Sequence, residues 1–155
     1  SKAYDAAIHS IDQKIKVVSK ACPLLVPFVE EGVLEGELIE MVLTRYLDPL
    51  LKHKIDTLIL GCTHYPLLKN VIRKVVGPNV KLIDSAPAAV GKLKKLLIQN
   101  HGVRSEKKKG NLQVFVSDLP TTFRPIGARF LGEQLNNVKV VRFAAKVTAN
   151  GKWTL

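Results

Sequence analysis

Cysteine is scarce in this chain, and no long apolar run occurs, so several classes of protein are excluded at once. Of the 155 residues only two are cysteines, Cys22 and Cys62, too few for a disulfide framework. Neither belongs to a Cys-x-x-Cys pair, so we expect no metal site. No apolar run reaches the length of a transmembrane helix and no signal peptide opens the chain, which predicts a cytoplasmic protein without a membrane partner. A reducing compartment also suits two free thiols.

Acidic residues are outnumbered, 13 against 24 lysines and arginines, which gives a formal net charge of +11. A basic surface can bind nucleic acid. However, no helix-turn-helix, zinc-finger or RNA-binding signature accompanies the charge, and aromatics at 6% are too few for a stacking platform. The basic residues are dispersed, apart from the three lysines at 107–109. We interpret the charge as a solvated surface, or as one balanced by acidic residues of an absent part of the protein, and expect no nucleic-acid partner.

What the chain does have is an alternation of apolar patterns typical of strands and helices. Strands are predicted at 14–19, 56–60, 80–83, 112–116 and 138–143, and helices at 1–12, 36–52, from residue 66, at 86–100 and at 122–131. The proline-containing segment 21–32 is predicted to be a loop, and Asp48-Pro49 is predicted to interrupt the helix over 36–52. Strands alternating with helices predict an α/β fold with a mainly parallel sheet flanked by helices.

The run over 56–68 holds the most chemistry. A buried strand ends at Gly61, and Cys62, Thr63 and His64 then lie on the turn before a helix that is predicted to begin at Pro66. Open α/β sheets bind ligands at this edge, and a helix N-terminus attracts anions and lowers the pKa of a thiol. A lone cysteine after a strand is also common as a small buried hydrophobe, and a lone histidine as a structural hydrogen-bonding group. Residue types alone leave both interpretations open.

The order Gly-Cys-Thr-His-Tyr-Pro-Leu-Leu over 61–68 resembles the second cysteine motif of the glutamate racemases, within the aspartate/glutamate racemase superfamily. Segments 21–32, 115–123 and 130–132 look like further segments of that family, and the resemblance runs from about Ser1 to about Val141. It implies an aspartate/glutamate racemase-like fold. It also implies a cofactor-independent enzyme that converts L-glutamate to D-glutamate for bacterial peptidoglycan precursors.

The resemblance also implies roles for individual residues. Such racemases hold one cysteine on each face of the substrate, one thiolate as base and one thiol as acid. By position, Cys62 is the second of these cysteines, His64 assists its proton transfers, and Thr63 binds polar groups of the substrate. Glu30, or its neighbour Glu31, matches the carboxylate that orients the histidine.

Two family segments do not occur here, an Asp-Ser-Gly segment and the Ala-Cys-Asn-Thr segment that carries the first cysteine. The resemblance therefore implies the later part of a racemase. It assigns 1–84 to most of the second lobe and 85–143 to the returning segment of the first lobe. Residues 144–155 have no strong pattern and lie beyond the resemblance, and they are predicted to be a disordered or non-native tail. Cys22, in Ala-Cys-Pro, is expected to be structural.

The expected partners are glutamate, the missing N-terminal half of the enzyme and, through uncovered apolar surface, a second copy of the chain. One of the two required cysteines is absent, so the chain by itself is expected to be inactive. Two alternatives stay open. One is a superfamily racemase acting on aspartate or hydantoins, and the other is a non-catalytic basic interaction module.

Overall fold

The computed structural model describes residues 2–104 and 110–142, together with the backbone of two short strands near the C-terminal end. The three lysines at 107–109 and most of the predicted tail lie outside the described residues. The chain divides into two compact units, Ser1–Ala89 and Val90–Leu155. Among the described residues, no helix has the length and apolarity that crossing a membrane requires.

From α3 onward, helices and parallel strands alternate in the first unit, as the sequence pattern predicts. The elements are α1 (Ala3–Ile11), α2 (Leu25–Glu30), α3 (Glu37–Leu51), β1 (Thr57–Leu60), a 3-10 turn (Tyr65–Leu68), α4 (Lys69–Val76), β2 (Lys81–Asp84) and the start of α5 (Ser85–Gln99). β1 and β2 pair in parallel, with Leu60 beside Asp84 at their carboxyl ends. The loop after β1 and the end of β2 therefore meet at one edge of the sheet.

The core of the first unit is packed around α3 and α4. The buried apolar residues are Cys22, Leu25, Val29, Ile39, Leu43, Leu47, Leu50, Leu60, Leu68, Val71, Ile72, Val76 and Val80. On α3 they recur at i, i+4 and i+3 spacing, which is the buried stripe of an amphipathic helix. Burying each such side chain contributes about 1.5–3 kcal/mol, so this cluster provides a firm base for the loop after β1.

Two predictions about the beginning of the first unit are wrong. Segment 14–19 pairs with no described strand, and Ile15 and Val18 are exposed. An alternating pattern forms a strand only where a neighbouring strand accepts its backbone hydrogen bonds. Segment 21–32, predicted to be a loop, contains α2. Its Pro27 is the third residue of that helix, where a backbone N–H has no intrahelical acceptor, so proline costs little there.

Two further helix predictions are corrected. Asp48-Pro49 does not interrupt α3, which runs through to Leu51. Pro49 lies in the last turn of α3, and the burial of Leu50 in the core offsets the lost hydrogen bond. The helix predicted from Pro66 begins as a 3-10 turn, and α4 itself begins only at Lys69. The Leu67 N–H donates to the carbonyl of His64 at 3.1 Å, the tighter spacing of a 3-10 helix.

The second unit contains the rest of α5, β3 (Val114–Val116), α6 (Phe123–Leu131), β4 (Val138–Val140), β5 (Lys146–Val147) and β6 (Trp153–Thr154). β3 and β4 pair in parallel, and β5 and β6 pair antiparallel. The described strands thus form three separate two-stranded sheets, and the α/β class with parallel pairing is confirmed. The assignment of 1–84, 85–143 and 144–155 to lobes and tail stays a prediction.

Four apolar residues along α5 are exposed, although their helical spacing predicts a buried face. Val90, Leu93, Leu96 and Leu97 have 63%, 54%, 45% and 42% of their surface accessible. They recur at helical spacing, so they form one apolar stripe along α5. Leu135 is the buried apolar residue among those described in the second unit, and it packs where Gly127 has no Cβ.

Candidate active site

The turn over 61–64 follows β1 directly and carries the candidate thiol, hydroxyl and imidazole. The Tyr65 N–H donates to the carbonyl of Cys62 at 3.3 Å, so the backbone itself closes the turn. Cys62 and His64 are half-buried, while Thr63 is exposed. The site is therefore open enough to be reached from solvent and rests on the buried Leu60 below it.

The thiol, the imidazole and a carboxylate form a series. Cys62 Sγ lies 3.9 Å from His64 Nδ1, and His64 Nε2 lies 3.6 Å from Glu30 Oε1. Thr63 Oγ1 approaches the same Nδ1 at 3.4 Å. If Nε2 carries the ring proton toward Glu30, Nδ1 is left as an acceptor for the thiol and the hydroxyl. This arrangement lets the imidazole exchange a proton with the sulfur.

Glu30 is the carboxylate that approaches His64. It is the last residue of α2, while Glu31 follows as the C-cap of that helix. The Glu30 side chain is 47% exposed, so a pair of this kind adds little stability. Because Val29 is fully buried, α2 holds Glu30 at a fixed place beside the turn.

Cys22 lies behind the site with its thiol inside the protein. Cys22 is 8% exposed, its Sγ lies 3.6 Å from the Lys20 carbonyl, and burial raises the pKa of the thiol, against a smaller lowering by Lys20. The Cys22 carbonyl accepts a hydrogen bond from the Tyr65 hydroxyl at 3.2 Å. Burial, with the nearby thiols, raises the pKa of Tyr65 to about 12, so this hydroxyl stays a donor. Cys22 thus supports the turn through its backbone.

Sequence reasoning missed one ionic contact next to this turn. Asp84 at the end of β2 is buried, and its carboxylate pairs with Lys69, the first residue of α4. Its other oxygen accepts the Ala86 N–H at 3.0 Å. The hydrogen bond from Lys69 holds the pKa of Asp84 below its ordinary value. An aspartate between a strand and a helix signals a preferred N-cap, which points to Asp84 but not to its contact with Lys69.

Within the part of the chain that the structure describes, no three His, Cys, Asp or Glu side chains are grouped to hold a metal ion. The arrangement instead provides groups that transfer protons, namely a thiol, an imidazole and a carboxylate. The fold and the site together define a parallel α/β domain with a candidate proton-transfer site at the carboxyl edge of its strands.

Comparison with known proteins finds glutamate racemases that are similar to this chain. A glutamate racemase of Geobacter metallireducens is 42% identical over 146 residues, covering 94% of this chain and 54% of the relative. One of Neisseria meningitidis is 43% identical over 141 residues, covering 91% of this chain and 52% of the relative. No protein-family model matches the chain. By these coverages, the chain spans about half the length of the curated relatives it matches.

Solved structures agree with the sequence relatives. The glutamate racemase of Francisella tularensis in complex with D-glutamate superposes with a TM-score of 0.81 at 36% identity, over 90% of this chain and 52% of that one. The RacE1 isoform of Bacillus anthracis superposes with a TM-score of 0.77 at the same identity and coverage. The resemblance predicted from residues 61–68 is confirmed. The chain is similar in sequence and fold to glutamate racemases, over nearly its whole length and about half of theirs.

Proposed function

We propose that this chain supplies one face of the active site of a glutamate racemase, with Cys62 as the group that exchanges a proton with the α-carbon of glutamate. The observation that carries the proposal is the series Cys62–His64–Glu30, which joins a turn and a separate helix by 3.9 Å and 3.6 Å. The name shared by the relatives and the D-glutamate bound to one of them favour glutamate over aspartate or hydantoins.

In the proposed reaction the Cys62 thiolate takes the α-proton, and the electron pair of the broken C–H bond stays on the substrate. A thiol on the opposite face then delivers a proton to the same carbon, which inverts it. Sulfur suits both steps because its pKa lies near the operating pH. Transfer in the reverse direction uses the same groups with their protonation states exchanged.

The neighbours of Cys62 have supporting roles in this proposal. His64 stabilises the charge state of the thiol, and Glu30 orients the imidazole through Nε2. Thr63 is exposed beside them, where its hydroxyl and backbone N–H can bind the polar groups of glutamate. No organic cofactor is required, since two sulfur groups provide the base and the acid.

The opposite face is assigned to a separate part of the enzyme, the earlier half with its own cysteine. The product, D-glutamate, would serve peptidoglycan precursor synthesis in the cytoplasm. Since stereoinversion needs a donor opposite the base, this chain by itself is expected to show no measurable racemisation. Charge on the substrate carbon is stabilised by preorganised donors shielded from water, and half of them would be missing.

The test is formation of D-glutamate from L-glutamate by the chain alone and after mixing with a separately produced earlier half of a relative. Activity is expected only in the mixture, and it should disappear with Cys62→Ala. Cys22→Ala is the matched control and should retain activity, because the Cys22 thiol is buried away from the turn. Turnover by the chain alone that is lost with Cys62→Ala would contradict the two-face mechanism. Turnover in the mixture that survives Cys62→Ala would contradict the role of this thiol.

A further inference from the structure

The ionic contact between Lys69 and Asp84 lies at the same sheet edge as the thiol and has no part in the proposed proton transfer. The Asp84 side chain is only 4% exposed, and that of Lys69 is 42% exposed. Removing the cation from a buried carboxylate is unfavourable, since its negative charge then stays in the protein without a compensating positive charge. The contact therefore restrains the elements that carry Lys69 and Asp84.

Asp84 joins three elements at one point. It ends β2, where its register partner is Leu60, the last residue of β1. Its Oδ1 accepts the Ala86 N–H at 3.0 Å in the first turn of α5, in the manner of an N-cap. Its remaining oxygen pairs with Lys69, the first residue of α4.

These attachments enclose the candidate site. The chain leaves β1 at Leu60, passes through Cys62 and His64 and the 3-10 turn, and enters α4 at Lys69. Its starting point is fixed to Asp84 by strand pairing, and its end point is fixed to the same Asp84 by the ion pair. Both ends of the segment 61–68 are thus held by one residue.

We propose that Lys69 and Asp84 are positioning residues, a clamp whose ion pair fixes the segment 61–68 and so keeps the Cys62 thiol next to the His64 imidazole. Neither residue needs to touch the substrate. The clamp reduces the number of conformations open to the segment, because a segment anchored at both ends has fewer conformations than one anchored at a single end.

A second ion pair on α4 provides an internal comparison. Lys74 lies 3.4 Å from Glu40 on α3, with side chains 65% and 39% exposed. Exposed pairs of this type contribute about 0–1 kcal/mol, and this one closes no segment that carries a site residue. Lys74→Met therefore removes a cation from the same helix without affecting the clamp.

The inference rests on the proposed function only in saying why the segment 61–68 is kept ordered. Its test measures the order of that segment directly and uses no glutamate. The variants are Lys69→Met, Lys69→Arg, Asp84→Asn and Lys74→Met in the full chain. One readout is hydrogen exchange at the Tyr65 and Leu67 amides, compared with amides in the middle of α3. The other is the rate of iodoacetamide alkylation of Cys62.

In Lys69→Met and Asp84→Asn, exchange at Tyr65 and Leu67 should become about tenfold faster while α3 exchange stays near its original rate, as expected for local opening. Alkylation of Cys62 should change in the same two variants. Lys69→Arg should preserve the original behaviour because it keeps the charge, and so should Lys74→Met. Asp84→Asn keeps an acceptor for Ala86 and the side-chain shape, so it tests the clamp even if Lys69→Met does not fold.

Two results would overturn the clamp. In one, all amides including those of α3 accelerate together, which is a general loss of stability. In the other, exchange at Tyr65 and Leu67 is unchanged in both Lys69→Met and Asp84→Asn. Failure of the racemisation assay with the earlier half would contradict the proposed function and leave the exchange result standing.

Discussion

The two units of this chain use the same helical apolar pattern with opposite outcomes. α3 in the first unit buries Ile39 and Leu43 completely, whereas α5 exposes Leu93 and Leu97 by 54% and 42% in spite of a similar spacing. Periodicity shows that a helix has an apolar face, but the cover for that face must come from another element. In the first unit this chain provides the cover itself. For the stripe along α5, the described residues of the second unit leave the side chains 42% to 63% exposed.

The candidate site lies entirely within the unit that has the packed core. Glu30, Cys62, Thr63 and His64 all belong to Ser1–Ala89, the unit with the packed core. Their local geometry is therefore fixed by buried side chains such as Val29 and Leu60. In the proposed function the opposing face of the site belongs to another part of the enzyme, and among the described residues the stripe on α5 is left partly exposed.

The largest expected effect compares a core leucine with a stripe leucine. Leu43→Ala should lower the free energy of unfolding by about 3 kcal/mol, because it removes fully buried methyl groups and leaves a cavity. Leu93→Ala should change it by about 0.5 kcal/mol or less. Urea unfolding followed by circular dichroism measures both. Equal losses of unfolding free energy in the two variants would show that the α5 stripe is covered in solution, and the contrast between the two units would be wrong.

The second effect concerns the two thiols of the first unit. Iodoacetamide at neutral pH should label Cys62 at least about tenfold faster than Cys22, because burial shields Cys22 and raises its pKa. Peptide mapping by mass spectrometry gives the two rates, and the ratio should narrow as pH rises and Cys22 ionises. Cys62→Ala and Cys22→Ala serve as controls for each label. Faster labelling of Cys22 would reverse the assignment of the reactive thiol.

A smaller effect is expected from pH at Asp84. The folded-state pKa of this carboxyl lies below its ordinary value of 3.8, chiefly because of the hydrogen bond from Lys69. Its contribution to stability is then fully present above the ordinary pKa and is lost as pH falls through the folded pKa. The difference in urea midpoint between the parent chain and Asp84→Asn should be constant near neutrality and shrink in acid, at roughly pH 4 and below. Because Lys69 is partly exposed and screened by solvent, the effect should be smaller than that of Leu43→Ala. A difference that grows in acid would contradict the sign.

The sequence predicts most elements because their patterns are local. The stripe of α3, the strand that ends at Gly61 and the order of strands and helices all follow from spacing and from helix-breaking residues. Segment 14–19 shows the limit, since an alternating pattern becomes a strand only with a partner. α2 shows the opposite limit: Pro27 is acceptable because it lies in the first turn of that helix, a position that sequence alone does not reveal.

For the site, the motif over 61–68 locates the thiol and the imidazole from the sequence, because they are two residues apart on one turn. The choice between Glu30 and Glu31 requires α2, whose end directs the carboxylate of Glu30 to His64. The Lys69–Asp84 contact could not be predicted, since it depends on the parallel register that brings Asp84 beside Leu60. The roles assigned to these side chains remain proposals for the assays above.

The smallest effect on stability is expected from polar substitutions on the α5 stripe, although they should change how the chain associates. Leu93 and Leu97 line an apolar groove of about 450 Å³ in the second unit, together with Val90 and Ile98. Exposed apolar patches bind hydrophobic dyes and promote self-association. The double variant Leu93→Gln with Leu97→Gln should therefore bind less dye and sediment more as a monomer, while its urea midpoint stays close to that of the parent chain. Lys95→Gln, an exposed change elsewhere on α5, should leave dye binding and sedimentation as they were. A parent chain that is monomeric and binds no dye would mean that its apolar stripe is covered in solution, and the contrast between the two units would then be wrong.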